Sequence, residues 1–452
     1  MKPNLLLVIP RYFSTPYCGY IMPMGILYIS AALKASGTCN VFTLNLNHCD
    51  EDDRTVLSRI IAEHGIDVVG SGGISGQFIE IYPLFKTIKE IDPAIITIAG
   101  GGMITADPVP AMTAFGQYAD FGVIGEGEIT MPELLSAIGE GRGYDEVKGL
   151  IYKEGQEWHI TERRPDIMEL DSIPLPDYAG FDYDKYLATN GEVVDGVKFS
   201  PVAIIGGRSC KYNCTFCFHP SGSRYRQRSL DSIFSEIDHL LKNYQVNYIA
   251  LREELFASDE QRVLEFCERA KSYPIVWSIQ LRVDTVTQTI VDALKKSNCR
   301  YVFLGIESAD NRILKNMRKN ITIEQVEKAL DMTISAGLDT RSTIILGDDQ
   351  ETLESAARTL AWWKEHKRRS AIDLGLIIAF PGSTLYKRAR ANGRIPDPVQ
   401  FLKDGCPVIN LSVNLSDEEF LSITSTVSEC SGIEFNIKNY TDESASGHDG
   451  NK

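Results

Sequence analysis

Apolar runs at residues 5–9, 41–46, 68–70, 94–99 and 121–124 recur through the first 150 residues, with helix-like stretches between them. The last three run straight into small-residue loops: Ser71-Gly72-Gly73-Ile74-Ser75-Gly76, Gly100-Gly101-Gly102 and Gly125-Glu126-Gly127-Glu128. Strands that alternate with helices are crossed over on one side and so lie parallel. An open parallel sheet takes ligands beyond the carboxyl ends of its strands, where these glycines fall. No GxGxxG follows the first run, so the usual dinucleotide fingerprint is missing. One helix between the runs is expected at 25–33, with Ile26, Ile29, Ala32 and Leu33 on a single face.

The same rhythm returns after residue 200. Strand-like runs at 202–205, 246–251, 275–280, 301–304, 342–346 and 372–380 enclose helices such as 230–243 and 261–270. Six such units predict a partial barrel or a long parallel sheet. Residues 151–200 read as an irregular linker stiffened by Ile173-Pro174-Leu175-Pro176. The expected layout is therefore a domain over 1–150, a linker over 151–200, a second α/β domain over 201–390, a small helical region over 391–440 and a disordered polar tail over 441–452.

Composition narrows the function classes. At 43% apolar residues in 452, the chain is neither disordered nor fibrous. A net charge of −15 argues against a nucleic-acid binder, with Arg224 to Arg228 as the one candidate basic patch. No opening segment reads as a signal peptide, and no apolar run reaches the roughly 18–20 residues of a membrane span. Ten cysteines in so long a chain are no disulfide scaffold. A cytoplasmic, reducing compartment is the expectation, in which free thiols can hold a metal.

Three of those thiols stand together in Gly206-Gly207-Arg208-Ser209-Cys210-Lys211-Tyr212-Asn213-Cys214-Thr215-Phe216-Cys217. Thiolates suit zinc and iron–sulfur clusters. A structural zinc site wants four ligands, and His219, two residues after Cys217, is a tight reach for the fourth. A cubane held by three cysteines leaves one iron open.

The CxxxCxxC spacing, with Phe216 before the last cysteine and a strand before the first, resembles the cluster loop of the radical S-adenosylmethionine (SAM) superfamily. That resemblance implies a [4Fe–4S] cluster on Cys210, Cys214 and Cys217 whose open iron chelates SAM. One electron then cleaves SAM to a 5′-deoxyadenosyl radical that abstracts an unactivated hydrogen. Further segments match in order. Tyr248 to Phe256 resembles the second-strand motif, so Glu253 or Glu254 would meet the SAM amino group. Trp277 to Asp284 places Gln280 and Arg282 as candidates for the ribose hydroxyls and the carboxylate. Phe303 to Asp310 offers Glu307 and Ser308. Ser342 to Thr352 corresponds to the strand beside the adenine, and Phe380 to Tyr386 to the last strand and its turn.

The front half resembles the cobalamin-binding domain that precedes many such cores, in Pro23 to Gly37, Ile98 to Pro108 and Gly122 to Leu135. Corrin contacts are then expected from Ser71, Gly72, Gly73, Ser75, Gly100, Gly101, Gly102, Gly125, Glu126 and Gly127. The DxHxxG motif, whose histidine ligates cobalt, is absent: Pro10 to Thr15 follow the first strand, and His48 follows the second. Two reaction types stay open. In one, methylcobalamin methylates an unactivated carbon of a small-molecule substrate. In the other, the substrate radical is dehydrated, cyclised or rearranged without methyl transfer, with or without cobalamin. Tyr17, Cys18, His219 and Tyr225 are candidates to face the substrate. The resemblance also implies an electron donor such as flavodoxin or ferredoxin. A tRNA-modifying enzyme would want a basic accessory domain, and a cobalamin sensor would leave the three cysteines without a purpose.

Overall fold

The computed structural model describes residues 2–12, 20–194, 196–222 and 224–440. Tyr17 and Cys18, and the expected tail over 441–452, lie outside the described residues. The chain divides into two compact units, Met1–Cys210 with His219–Glu254, and Lys211–Phe218 with Leu255–Lys452.

In the first unit, strands β1 (Asn4–Ile9), β2 (Asn40–Asn45), β3 (Val68–Gly72), β4 (Ile96–Gly100) and β5 (Phe121–Val123) form a parallel sheet in the order β2-β1-β3-β4-β5. Helices α1 (Met24–Ser36), α2 (Asp53–His64), α3 (Phe78–Ile91), α4 (Gly102–Ala106), α5 (Pro108–Phe115) and α6 (Gly127–Glu140) fill the connections. Leu5 to Ile9 of β1 are all buried, as a strand covered on both faces requires. Gly37, Gly65 and Gly141 close α1, α2 and α6 in left-handed conformation, which lets their amides reach back to the last turn.

Residues expected to be irregular add structure of their own. β6 (Leu150–Glu154) and β7 (Glu157–Ile160) form a hairpin that extends the first sheet antiparallel beyond β5. Its turn holds Gly155 at φ +63°. Both strands are short and carry charge on their outer positions, so their apolar signal is weak. Further along lie α7 (Tyr183–Thr189) and a second hairpin of β8 (Glu192–Val194) and β9 (Val197–Phe199). The unit closes with β10 (Pro201–Ile204), the short antiparallel pair β11 (Gly207–Arg208) and β12 (Arg226–Gln227), α8 (Leu230–Asn243) and β13 (Tyr248–Leu251). β10 and β13 pair in parallel.

In the second unit β14 (Val276–Leu281), β15 (Cys299–Glu307), β16 (Asp339–Leu346) and β17 (Ala371–Leu376) form consecutive parallel pairs. Helices α9 (Glu260–Ala270), α10 (Gln288–Lys296), α11 (Asn311–Asn316), α12 (Ile323–Ser335) and α13 (Leu353–His366) connect them, and α14 (Thr384–Ala391), α15 (Pro398–Lys403) and α16 (Asp417–Ser431) follow. Side-chain caps explain where these helices start. Thr287, Asp310, Thr322, Thr352, Ser383 and Ser416 each accept a hydrogen bond from the first turn. Among the described residues no helix is long and apolar enough to cross a membrane.

Candidate active site

The second unit gathers a charged group around Cys214. Thr215 is fully buried; its amide donates to Met317 O at 2.9 Å, and its carbonyl accepts from Leu385 N at 2.9 Å. These bonds tie the cysteine loop to the segment after α11 and to the first turn of α14. In the turn before α14 Gly382 has φ +89°, and a Cβ there would overlap the Phe218 ring, so only glycine fits. Cys214 is buried and Cys217 exposed.

Arg282, at the end of β14, stacks its guanidinium 3.6 Å from the Tyr212 ring centroid. It donates to Asp284 Oδ1 at 3.0 Å and to Lys319 O at 2.6 Å, and approaches Cys214 Sγ to 4.0 Å. The Cys214 thiol is pulled down to about 6, first by the hydrogen bond from Cys217 and then, against burial, by the charges of Lys319 and Arg282. The same bond pushes Cys217 up. A thiol so placed is ready to bind metal as thiolate. Among the described residues no three Cys, His, Asp or Glu side chains converge on a single-ion site of the zinc kind.

Glu307 ends β15 in left-handed backbone, φ +69°, at the point where the register with β16 shifts. Its carboxylate accepts from Lys319 Nζ at 2.5 Å. A Cβ on Gly305 would lie 2.8 Å from that ammonium, which explains the glycine two residues earlier. Ser308 turns the other way: its hydroxyl is 3.2 Å from Thr359 Oγ1 and accepts from Asp310 N at 3.1 Å. Gln280 takes the exposed position of β14, and Phe216 is half-buried.

In the first unit Ser209, just before the half-buried Cys210, is left-handed at φ +65°. Glu253, after β13, is buried and accepts weakly from Gly206 N at 3.4 Å. A Cβ on Gly206 would lie 2.8 Å from Glu253 Oε1, so the first glycine of the Gly-Gly-Arg approach makes room for this acid. Glu254 is paired with His219 Nδ1. Tyr225 is half-buried. The two acids that the sequence presents as equivalent thus have different neighbours.

The glycine loops beyond β3, β4 and β5 divide into two kinds. A Cβ on Gly72 would lie 2.7 Å from Gly100 O, and one on Gly101 (φ +83°) 2.7 Å from Gly73 O. Met103 N also donates to Gly73 O, at 3.0 Å. These residues are small because two loops meet backbone to backbone. Gly127 makes room for Ile29 of α1. At Gly100 and Gly125 a Cβ would meet nothing within 4 Å, so these two glycines border open space. The hydroxyl of Ser71 donates to Val8 O at 2.9 Å; Ser75 and Gly102 are buried. Glu126 is engaged elsewhere: it accepts from Arg208 at 2.6 Å, from Arg226 at 2.7 Å and from Ile167 N at 2.6 Å. Glu128 takes the other arm of Arg208 at 2.5 Å. Arg226 is therefore no part of a basic surface, and Arg228 is buried against Glu236. His48 bonds Tyr20 Oη at 2.9 Å, and burial lowers its pKa to about 4, so it is neutral.

Lys319, Tyr212 and Arg208 were not singled out from the sequence. Tyr212 could have been, as an aromatic inside the cysteine loop. Lys319 is one of several cations between Lys315 and Asn320, and nothing local separates it from an exposed one.

Two family profiles match the chain, the B12 binding domain over residues 16–135 and the radical SAM superfamily over residues 204–362. The chain is 29% identical over 374 residues to the uncharacterized methyltransferase PH0819 of Pyrococcus horikoshii, covering 82% of this chain and 79% of that one. It is 27% identical to the anaerobic magnesium-protoporphyrin IX monomethyl ester cyclase of Rubrivivax gelatinosus, covering 79% of this chain and 64% of the cyclase. Its fold is that of the radical SAM methyltransferase TsrM of Kitasatospora setae, with a TM-score of 0.70 at 20% identity over 86% of this chain and 79% of that one. The cofactors that go with the two domains are a [4Fe–4S] cluster, SAM and cobalamin. The chain belongs to the radical SAM superfamily, as an enzyme whose cluster-binding core follows a B12-binding domain.

Proposed function

We propose that this enzyme methylates an unactivated carbon of a small-molecule substrate. The observation that carries the reading is the joint presence of the open glycine edge at Gly100 and Gly125 and the thiolate-ready loop at Cys214, in a chain 29% identical to the uncharacterized methyltransferase PH0819. In this reading Cys210, Cys214 and Cys217 hold the cluster. When bound, the cluster and SAM supply a carbon-centred radical, and cobalamin supplies the methyl group. The residues bind and orient. Glu253 or Glu254 takes the SAM amino group in a charge-assisted bond. Gln280 and Arg282 hold its ribose and carboxylate side, and Glu307 borders the same strand ends. The burial of Arg282 and Glu307 strengthens these contacts by keeping water from them. A flavodoxin- or ferredoxin-type donor supplies the electron.

A cyclase-type reaction without methyl transfer is the second reading, favoured by the 27% identity to the ester cyclase. Methyl-labelled SAM separates the two without knowledge of the substrate. The anaerobic enzyme, reconstituted with iron, sulfide and hydroxocobalamin and then reduced, is expected to release S-adenosylhomocysteine and to retain the labelled methyl group. Formation of 5′-deoxyadenosine with no S-adenosylhomocysteine would replace methylation by the second reading.

A further inference from the structure

The segment between α11 and α12 holds the site from below with three successive residues. Met317 O accepts from Thr215 N at 2.9 Å. Arg318 O lies 3.9 Å from Cys214 Sγ. Lys319 O accepts from Arg282 Nη2 at 2.6 Å. Arg318 is left-handed at φ +53° and Asn320 at +55°, a backbone that turns the Lys319 side chain inward. Among the described residues its ammonium pairs with one carboxylate, that of Glu307, at 2.5 Å, and both residues are 7% exposed.

A buried ion pair of this kind is a poor device for stability. Taking each ion out of water costs several kcal/mol, and an apolar pair of similar volume commonly does as well or better. Fold alone gives little reason for a lysine here. The chain next to Lys319 touches Cys214 through Arg318 O, Arg282 lies 4.0 Å from the same thiol, and the charges of Lys319 and Glu307 both act on that sulfur, in opposite directions. Charge near the sulfurs is one of the means by which a protein sets the potential of an iron–sulfur cluster.

We propose that Lys319 is a positioning residue for the cluster: it places a buried positive charge beside the Cys214 ligand and so raises the cluster's reduction potential, with Glu307 as the opposing charge. The proposal rests on the assignment of the cluster to Cys210, Cys214 and Cys217. Its consequence is practical. The easier the cluster is to reduce, the weaker the donor that can load it with an electron, and the smaller the driving force left for passing that electron to SAM.

The charge argument fixes opposite signs for the two partners. Full-length enzyme is reconstituted anaerobically without SAM, and the reduced cluster is followed by electron paramagnetic resonance in a redox titration. Lys319→Met removes the positive charge and should lower the ratio of reduced to oxidised cluster at fixed potential about tenfold, about 59 mV for one electron. Glu307→Gln should raise the ratio. The double variant should return toward wild type, and Lys319→Arg should match wild type. A purely structural pair would shift both single variants the same way or neither, and either result overturns the proposal. If Lys319→Met fails to hold iron, Glu307→Gln alone decides, since an unchanged or lowered ratio there is equally fatal. A wild-type protein without about four irons would instead overturn the cluster assignment on which the proposal rests.

Discussion

At the residue scale, the same residue type does different work in positions that look alike in sequence. Glu126 lies in a glycine loop that invites a ligand, yet its carboxylate joins the half-buried Arg208 and the buried Arg226. Removing it would leave the buried Arg226 guanidinium without its carboxylate, while Arg208 keeps Glu128, and losing one partner of a buried pair costs about 3–5 kcal/mol. Glu126→Ala is therefore expected to lower the urea midpoint of the protein without any cofactor. An unchanged midpoint would return Glu126 to the list of corrin contacts. The physical limit on reading such positions is plain. A glycine followed by an acid reports that the backbone comes close to something, and the partner, Arg208 or Arg226, lies 82 to 100 residues away in the chain.

At the scale of the element, the loop Gly347 to Thr352 between β16 and α13 carries two buried acids. Asp348 accepts from Asn316 at 2.6 Å and from Gln350 N at 3.0 Å, while its second oxygen has no hydrogen-bond partner among the described residues; burial raises its pKa to about 6. Glu351 caps the same loop through Gly347 N and Ser355, and burial raises it to about 7. Both hold protons in the folded protein that the unfolded chain has already released above about pH 4. Stability from these groups is present at pH 4 and falls as pH rises toward 7, by a few kcal/mol in all. Asp348→Asn is expected to flatten that fall in urea titrations between pH 5 and 7. A fall as steep as in wild type would clear Asp348 of the effect. The strand and the cap of this element are legible from Ile344-Ile345-Leu346 and Thr352. The protonation is not, because it depends on Ser412 and the residues after it covering the loop, with Ser412 Oγ donating to Glu351 O at 2.7 Å.

At the scale of the molecule, a B12-binding domain and a radical SAM core in one chain imply two metals in fixed ratio. Protein expressed with hydroxocobalamin and reconstituted anaerobically is expected to carry about four irons and one cobalt per chain. Cys214→Ala should lose the iron and the 5′-deoxyadenosine while keeping the cobalt. Four irons with no cobalt would leave the first sheet as a fold without its cofactor and point to chemistry other than methylation.

What the sequence determined by itself is the order of parts and the chemistry they serve: two α/β rhythms, three cysteines at intervals of four and three, and acids at successive strand ends. These are local patterns, set by strand period, helix caps and the short reach between ligands in one loop. The tertiary structure decided which charged groups work together. It added the antiparallel hairpin at β6 and β7, buried Arg226 and Arg228, gave Glu253 and Glu254 different partners, and paired Lys319 with Glu307 where both charges act on Cys214. Each of these depends on groups from separate elements, and a buried charge takes its meaning from the partner that the fold brings to it.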